Sequence, residues 1–250
     1  MTLSDGSREF LLALADDEHM IGARHTSWIG LGPFLEEDLA FCSIAQDELG
    51  HAIALYEILL DDAGRSRDEL DAFAIMRDAK EFRSCQLAEV ECGAWSDSLV
   101  RHWLYDRAES LRWEALLDSS DQAVASLAAR ALREESFHLA HAAQFMSRIA
   151  PDRPRQILDS IDRLLPLAIR QWQPVDGEPA ALADGVATAS SAELAERWEL
   201  AVRADLADWN LEVAWPAVPD VASRTERSVG FDDFLTGLRK VIVLDEAAVW

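Results

Sequence analysis

Two short stretches, DELGH (Asp47–His51) and EESFH (Glu134–His138), set a glutamate and a histidine three residues apart on the apolar side of long helical patterns. Residues three apart on a helix share a face, with about 5–6 Å between their Cβ atoms. Each pair therefore points where a helical bundle normally buries leucine. With 46 acidic residues in 250 and six histidines, about one histidine should follow an acid by three positions through chance. Three do, and the third, His19 after Asp16, is read as the accident.

The rest of the chain says why these runs are helices. Proline and glycine are few and clustered, and the intervals between them repeat apolar residues at the helical period, which predicts an all-α fold. Ser4 or Asp5 can cap a first helix running to about Gly30, where Leu31–Pro33 breaks it. A second is expected over Leu35–Leu60, a shorter piece within Asp68–Ala79, and a less regular stretch around Glu89–Trp95. Ser96 or Asp97 can cap a third long helix reaching Leu117, and Asp118–Asp121 turns the chain into a fourth that ends near Pro151–Pro154. Gln171–Ser191, rich in small residues and breakers, reads as a linker or long loop. Helicity resumes over Ala192–Asn210, and after a break the chain closes on an amphipathic segment, Phe231–Trp250. The expected division is a four-helix bundle over residues 1–170, followed by a linker and C-terminal helices over 171–250 that pack on the bundle or on a partner.

Each long helix carries a seam with alternating steps of three and four, the side that faces the interior of a bundle. The seams read Leu14, Glu18, Ile21, His25, Trp28; then Phe41, Ile44, Glu48, His51, Leu55, Ile58; then Leu99, Trp103, Asp106, Ser110, Trp113, Leu117; and Ala128, Ala131, Glu135, His138, Ala142, Phe145. Glu18 precedes Glu48 by 30 positions and Asp106 precedes Glu135 by 29, so two hairpins of like design would bring Glu18, Glu48, His51, Asp106, Glu135 and His138 to one level. Burying even one unpaired charge costs several kcal/mol, and like charges add repulsion. Two divalent cations resolve this: a carboxylate from each of two helices plus Glu-x-x-His from each of the other two is the ligand set of di-iron and di-manganese carboxylate bundles. Oxygen and imidazole ligands without thiolates suit iron or manganese. Asp47 and Glu134, each four residues before the histidine on its own helix, are expected to accept a hydrogen bond from that histidine's outer nitrogen. His25 reads as a core histidine, His19, His102 and His141 as surface or second-layer residues, and Trp28, Trp103 and Trp113 as core or pocket wall.

The formal charge of −23 disfavours nucleic acid and anionic lipid as partners. No basic, apolar leader and no run of roughly 20 apolar residues is present, so a soluble cytoplasmic protein without membrane attachment is expected. Cys42, Cys85 and Cys92 form no CxxC and are read as free thiols.

Gln46–Tyr56 (QDELGHAIALY) and Arg133–Ala142 (REESFHLAHA) resemble the two metal-binding motifs of the catalytic subunit in the phenylacetyl-CoA epoxidase family, ferritin-like di-iron oxygenases of bacterial phenylacetate catabolism. Asp17–Gly22 (DEHMIG) and Trp103–Ala108 (WLYDRA) resemble that subunit's other two ligand helices, and the likeness is specific over about residues 10–145. Overall length, the context of EEDLAFCSIAQDELG and the carboxyl-terminal third are more similar to the family's non-catalytic scaffold subunit. The resemblance implies a ferritin-like four-helix bundle with additional C-terminal helices, two iron ions (with manganese as the alternative), and dioxygen as co-substrate. It implies a monooxygenase that epoxidises or hydroxylates an aromatic or acyl-CoA substrate. No Rossmann fingerprint and no iron–sulfur cysteine set is present, so electrons are expected from a separate reductase. A homologous subunit or a second copy is the expected protein partner. Arg24, Arg107 and Arg133 are candidate contacts for the phosphates of a CoA ester. The competing functions are a structural subunit that keeps the metals as a folding staple, and iron storage or peroxide removal in the ferritin manner.

Overall fold

The computed structural model describes residues 2–217 and 224–244, and these contain helices and no strand. Four long helices make the bundle: α1 (Asp5–Thr26), α2 (Leu35–Asp62), α5 (Trp95–Leu116) and α6 (Gln122–Asp152). Between the two hairpins runs a crossover holding the short helices α3 (Leu70–Ala74) and α4 (Gln86–Glu89). After the bundle come α7 (Pro154–Arg170), α8 (Glu178–Ala183), α9 (Ser191–Asp208) and α10 (Phe231–Arg239). The fold is all-α and ferritin-like, two helical hairpins joined by one long crossover. Of the closing segment expected over Phe231–Trp250, residues 245–250 lie outside the described residues.

Local chemistry accounts for the ends. Ser4 Oγ accepts from Ser7 N at 3.2 Å at the start of α1, and Asp121 Oδ1 accepts from Ala123 N and Val124 N at 2.9 and 3.1 Å at the start of α6. Helix α1 stops four residues before the expected Gly30. There Gly30 takes a positive φ of 83° and Asp38 Oδ1, on α2, accepts from both Gly30 N and Gly32 N, which turns the chain early. Helix α5 begins one residue before Ser96, with the Asp97 carboxylate reaching back to Ala94 N at 3.1 Å.

Proline punctuation at 151–154 does not end the helical region. Pro154 opens α7, whose Ile157, Ile161, Leu164, Leu165 and Ala168 are buried against the bundle. The stretch read as a linker or long loop holds α8, and Ala181, Val186 and Ala187 enter the same apolar cluster as Leu11 and Leu14 of α1. Helix α9 lies along α5: Trp198 Nε1 donates to Leu104 O at 3.0 Å, and Asp205 accepts from Trp103 Nε1 at 2.8 Å and from Arg107 through two bonds of 2.7 Å. Consequently α5 is buried on nearly every side.

The same holds for α1, which is buried continuously from Ala13 to His25. Asp16 and Asp17, next to Glu18, face away from the bundle axis into polar anchors. Asp16 accepts from Tyr56 OH and from Arg83 N, both at 2.7 Å, and pairs with Arg77. Asp17 accepts from Cys85 N at 2.6 Å and from Arg224 at 2.7 Å. Asp16 and His19 are both buried, and neither belongs to a group that could hold a metal ion among the described residues. Removing one member of a buried ion pair strands the other, at a cost of about 3–5 kcal/mol. Asp16→Ala should lower the unfolding free energy by about that much, measured by urea denaturation, whereas Asp5→Ala on the exposed first turn should change it by under about 0.5 kcal/mol.

Candidate metal centre

Helices α1 and α2 approach closely at Gly22, where a Cβ would lie 2.9 Å from Glu48 Cβ and 3.1 Å from Leu49 N. That contact seats Glu18, one turn earlier on α1, beside Glu48 on α2. The second hairpin supplies Asp106 from α5 with Glu135 and His138 from α6, and all six residues singled out in the sequence are buried at one level of the bundle.

A seventh joins them. Glu109, on α5 and fully buried, lies among Glu18, Glu48 and His51, with one ligand atom of each within 4.8 Å of the others. Glu48, Glu135 and His138 form a second such group, and Asp106, Glu109 and Glu135 a third, so Glu48, Glu109 and Glu135 are each shared between groups. The sequence seam stepped from Asp106 to Ser110 and missed it. Because α5 packs against the bundle on one side and α7 and α9 on others, apolar residues mark several of its faces and periodicity does not single out the inner one. Trp103 and Ser110 lie off that face, which instead reads His102, Asp106, Glu109, Trp113. The signal that could have found Glu109 is its spacing, three residues after Asp106, the same step that joins glutamate to histidine on α2 and α6.

Both histidines turn Nδ1 inward. His51 Nδ1 lies 3.4 Å from Glu18, 3.5 Å from Glu109 and 3.7 Å from Glu48; His138 Nδ1 lies 3.1 Å from Glu135 and 3.4 Å from Glu48. The outer nitrogens correct an expectation. His51 Nε2 donates to Glu134 at 2.7 Å and His138 Nε2 to Asp47 at 3.3 Å, so each outer carboxylate serves the histidine of the other helix. Asp47 and Glu134 each precede a ligand-level glutamate by one residue, a turn of about 100° that carries them to the flank where α2 and α6 face each other. A carboxylate can only accept, so each bond puts a proton on Nε2 and turns Nδ1 toward the cluster.

Electrostatics and unmet hydrogen bonds both bear on a cation. Burial, with the charge of Glu109 added, lifts the Glu18 and Glu135 carboxyls well above their usual range, and burial does the same to Asp106. Burial opposes charge on His51, yet the carboxylates of Glu109, Glu18 and Glu48 outweigh it and raise its pKa. Both oxygens of Glu48, of Asp106 and of Glu135, Oε2 of Glu109 and Nδ1 of His138 are buried without a hydrogen-bond partner. Buried polar groups are ordinarily satisfied. Inward-facing oxygens and an imidazole nitrogen left without hydrogen-bond partners fit a pair of divalent cations, which would take the place of protons there.

Around the cluster, Trp113 donates Nε1 to Glu109 at 3.0 Å and sets its ring 5.3 Å from that of His51, and Tyr105 OH donates to Glu18 at 3.2 Å. A groove of about 770 Å³ opens between α2 and α6 one turn beyond His51, lined by Glu57, Asp61, Asp62 and Asp121 beside Arg130. The arginines expected at a phosphate site are committed elsewhere: Arg24 donates to Glu89 O and lies 3.7 Å above the Phe234 ring, and Arg107 is held by Asp205. Arg133 is exposed on α6 and donates to Ala129 O. His25 is in the core with both ring nitrogens unpartnered, and Trp103 and Trp113 are buried, while Trp28 is only half-buried. No helix among the described residues is long and apolar enough to cross a membrane.

The model of the family described as phenylacetic acid catabolic protein matches residues 4–248, nearly the whole chain. The chain belongs to that family. It is similar to one of the subunits of the 1,2-phenylacetyl-CoA epoxidase of Escherichia coli (strain K12), with 30% identity over 140 residues. That alignment spans about half of each protein, 56% of this chain and 56% of the relative. The family match extends the relationship through α7–α10, including the stretch Gln171–Ser191 that the sequence alone read as a linker or long loop.

If Glu109 belongs to the centre and Ser110 does not, the two substitutions should separate. Glu109→Ala should lose at least one of two equivalents of bound metal, measured by elemental analysis after reconstitution, whereas Ser110→Ala should keep both.

Proposed function

We propose that this chain is a metal-bearing subunit of a multicomponent oxygenase acting on phenylacetyl-CoA or a related aryl or acyl-CoA ester. The observation that carries the reading is the set of five buried carboxylates and two histidines that converge from four helices, with most of the inward-facing oxygens lacking a donor. Glu18, Glu48, His51 and Glu109 would hold one iron ion, and Asp106, Glu135 and His138 a second, with Glu48 and Glu109 placed between the groups. Bound there, a ferrous pair supplies the reduction of dioxygen that passes one oxygen atom to the substrate and releases the other as water.

The chain's own residues supply the rest. Glu134 and Asp47 fix the tautomers of His51 and His138, and they do so from a partly exposed flank, 32% and 38% accessible, so the centre sits one side chain from the α2–α6 surface. Trp113, Phe41 and Tyr105 close the interior against water. The acidic lining of the α2–α6 groove repels the phosphates of a CoA ester, which favours entry of the acyl end from another side.

A second reading has a specific observation in its favour: the similar protein is one subunit of an epoxidase, and an assembly need not house its chemistry in every subunit. In this reading the chain is a structural subunit whose metals serve as a staple between the hairpins. Anaerobic reconstitution followed by metal analysis and oxygen uptake with an external reductase separates the two. The oxygenase reading expects about two iron ions per chain, their loss in Glu48→Ala and His138→Ala, and oxygen consumption that requires reductase and acyl-CoA. Two irons with no such uptake, or a wild-type chain that takes up no metal and is equally stable without it, would leave the structural subunit and remove the oxygenase reading.

A further inference from the structure

Behind the ligand face of α1 lies a cluster whose unmet groups are of the opposite kind. Asp17 is its carboxylate. Oδ1 accepts from Cys85 N at 2.6 Å and Oδ2 from Arg224 Nη1 at 2.7 Å, while Arg112 Nη1, from α5, stands 3.4 Å from Oδ2 without bonding to it. Two buried guanidinium groups thus share one carboxylate. Cys85, whose thiol is pushed up to about 12 by burial, adds no negative charge. Among the described residues, no other acidic side chain lies within ion-pair reach of either arginine. The buried groups left without a hydrogen-bond partner here are Arg112 Nη1, Arg224 Nε, Trp172 Nε1 and Gln171 Nε2, and all four are donors. Arg112, Trp172 and Arg224 line a cavity of about 30 Å³ whose other walls include Phe10, Leu14 and Leu194. It shares Val175 and Arg224 with a more open cavity of about 140 Å³, lined by Arg83 and by the exposed Glu9 and Asp176.

We infer that the inner cavity binds one small monovalent anion of halide size. A buried charge without a counter-charge is strongly destabilising, and each buried donor without an acceptor adds to the cost. A space of about 30 Å³ holds one water or one ion. A water there would turn its own hydrogens toward walls whose unmet groups are donors, whereas a halide only accepts and supplies the missing charge. The outer cavity gives it a route from solvent. The inference stands apart from the metal centre, because none of these residues belongs to a group that could hold a metal ion. Bound there, the anion ties Arg112 of α5, Trp172 after α7 and Arg224 together behind Asp17, the neighbour of Glu18, and so supports the orientation of α1.

The test is thermal unfolding of the full chain in sodium chloride or sodium bromide against sodium gluconate at constant ionic strength, with bromide located by anomalous scattering in crystals. Tm should rise saturably with either halide and stay flat in gluconate, as binding to the folded state requires, and the bromide should sit beside Arg112, Trp172 and Arg224. Arg112→Met leaves Asp17 paired with Arg224 and removes the excess charge, so it should fold and lose the halide-dependent rise. Trp172→Phe keeps an aromatic ring and removes one donor, so halide should bind at least about tenfold more weakly. Arg155→Ala, exposed on α7, should behave as wild type. If Arg112→Met does not fold, Trp172→Phe and the anomalous map carry the test. Equal Tm in halide and gluconate, halide dependence unchanged in both variants, or a water in this cavity with bromide elsewhere, overturns the inference.

Discussion

Like charge gathered inside an apolar bundle is the constraint on which the rest of this structure depends. Five carboxylates at one level cannot be ionised together without a counter-charge, and without one their burial forces protons onto Glu18, Asp106 and Glu135. A helix bearing such a residue gains by rotating it outward, so the fold must hold the helix against rotation. Helix α1 shows how. It carries three consecutive buried acids: Glu18 points to the centre, while Asp16 and Asp17 are fixed on its other sides by Arg77, Tyr56 and Arg83 N, and by Arg224 and Cys85 N. Apart from Tyr56 on α2, these anchors come from the crossover and from the C-terminal region, segments that look peripheral in the sequence. Their contribution is to keep a ligand helix from turning.

The pattern of what could be read from the sequence follows from the same constraint. Where a helix has one buried face and one solvated face, periodicity identifies the inner residues, and Glu48, His51, Glu135 and His138 on α2 and α6 were reached that way. Where a helix is wrapped on every side, apolar residues cease to mark a face. Helix α5 is such a case, and there the seam took Trp103 and Ser110 in place of His102 and Glu109. Pairings that depend on one helix facing another were beyond reach for a different reason. Spacing along α2 places Asp47 near His51, but only the antiparallel approach of α6 shows that its hydrogen bond goes to His138. Breaker-rich stretches misled in the opposite sense, since Gly177 closes against Gly6 of α1 and seats α8 on the bundle instead of freeing a loop.

The crossing of Asp47 and Glu134 makes the two hairpins one unit. Had each outer carboxylate served its own helix, the halves could separate with their hydrogen bonds intact. Because the bonds run from α2 to α6 and back, parting the hairpins breaks both and strands two buried imidazoles. The position of these bonds, at the partly exposed flank, means that whatever covers the α2–α6 surface also controls how dry they are, and a hydrogen bond strengthens as water leaves it.

The near-twofold design stops at the ligands. Beyond one end of the cluster lie His25, His102, His141 and Phe41, with ring centroids 5.1–5.9 Å apart. Beyond the other lie Leu14, Leu55, Trp113, Ala128 and Ala131, an apolar layer. Two ions bound between such ends would be inequivalent even with matched first ligands, because one end holds the imidazoles of His25, His102 and His141 while the other offers dispersion contacts and the indole N–H that Trp113 gives to Glu109. The polar end is then the natural side from which the charge of the centre is balanced, and Asp106, with His102 Nδ1 2.8 Å away, marks that side.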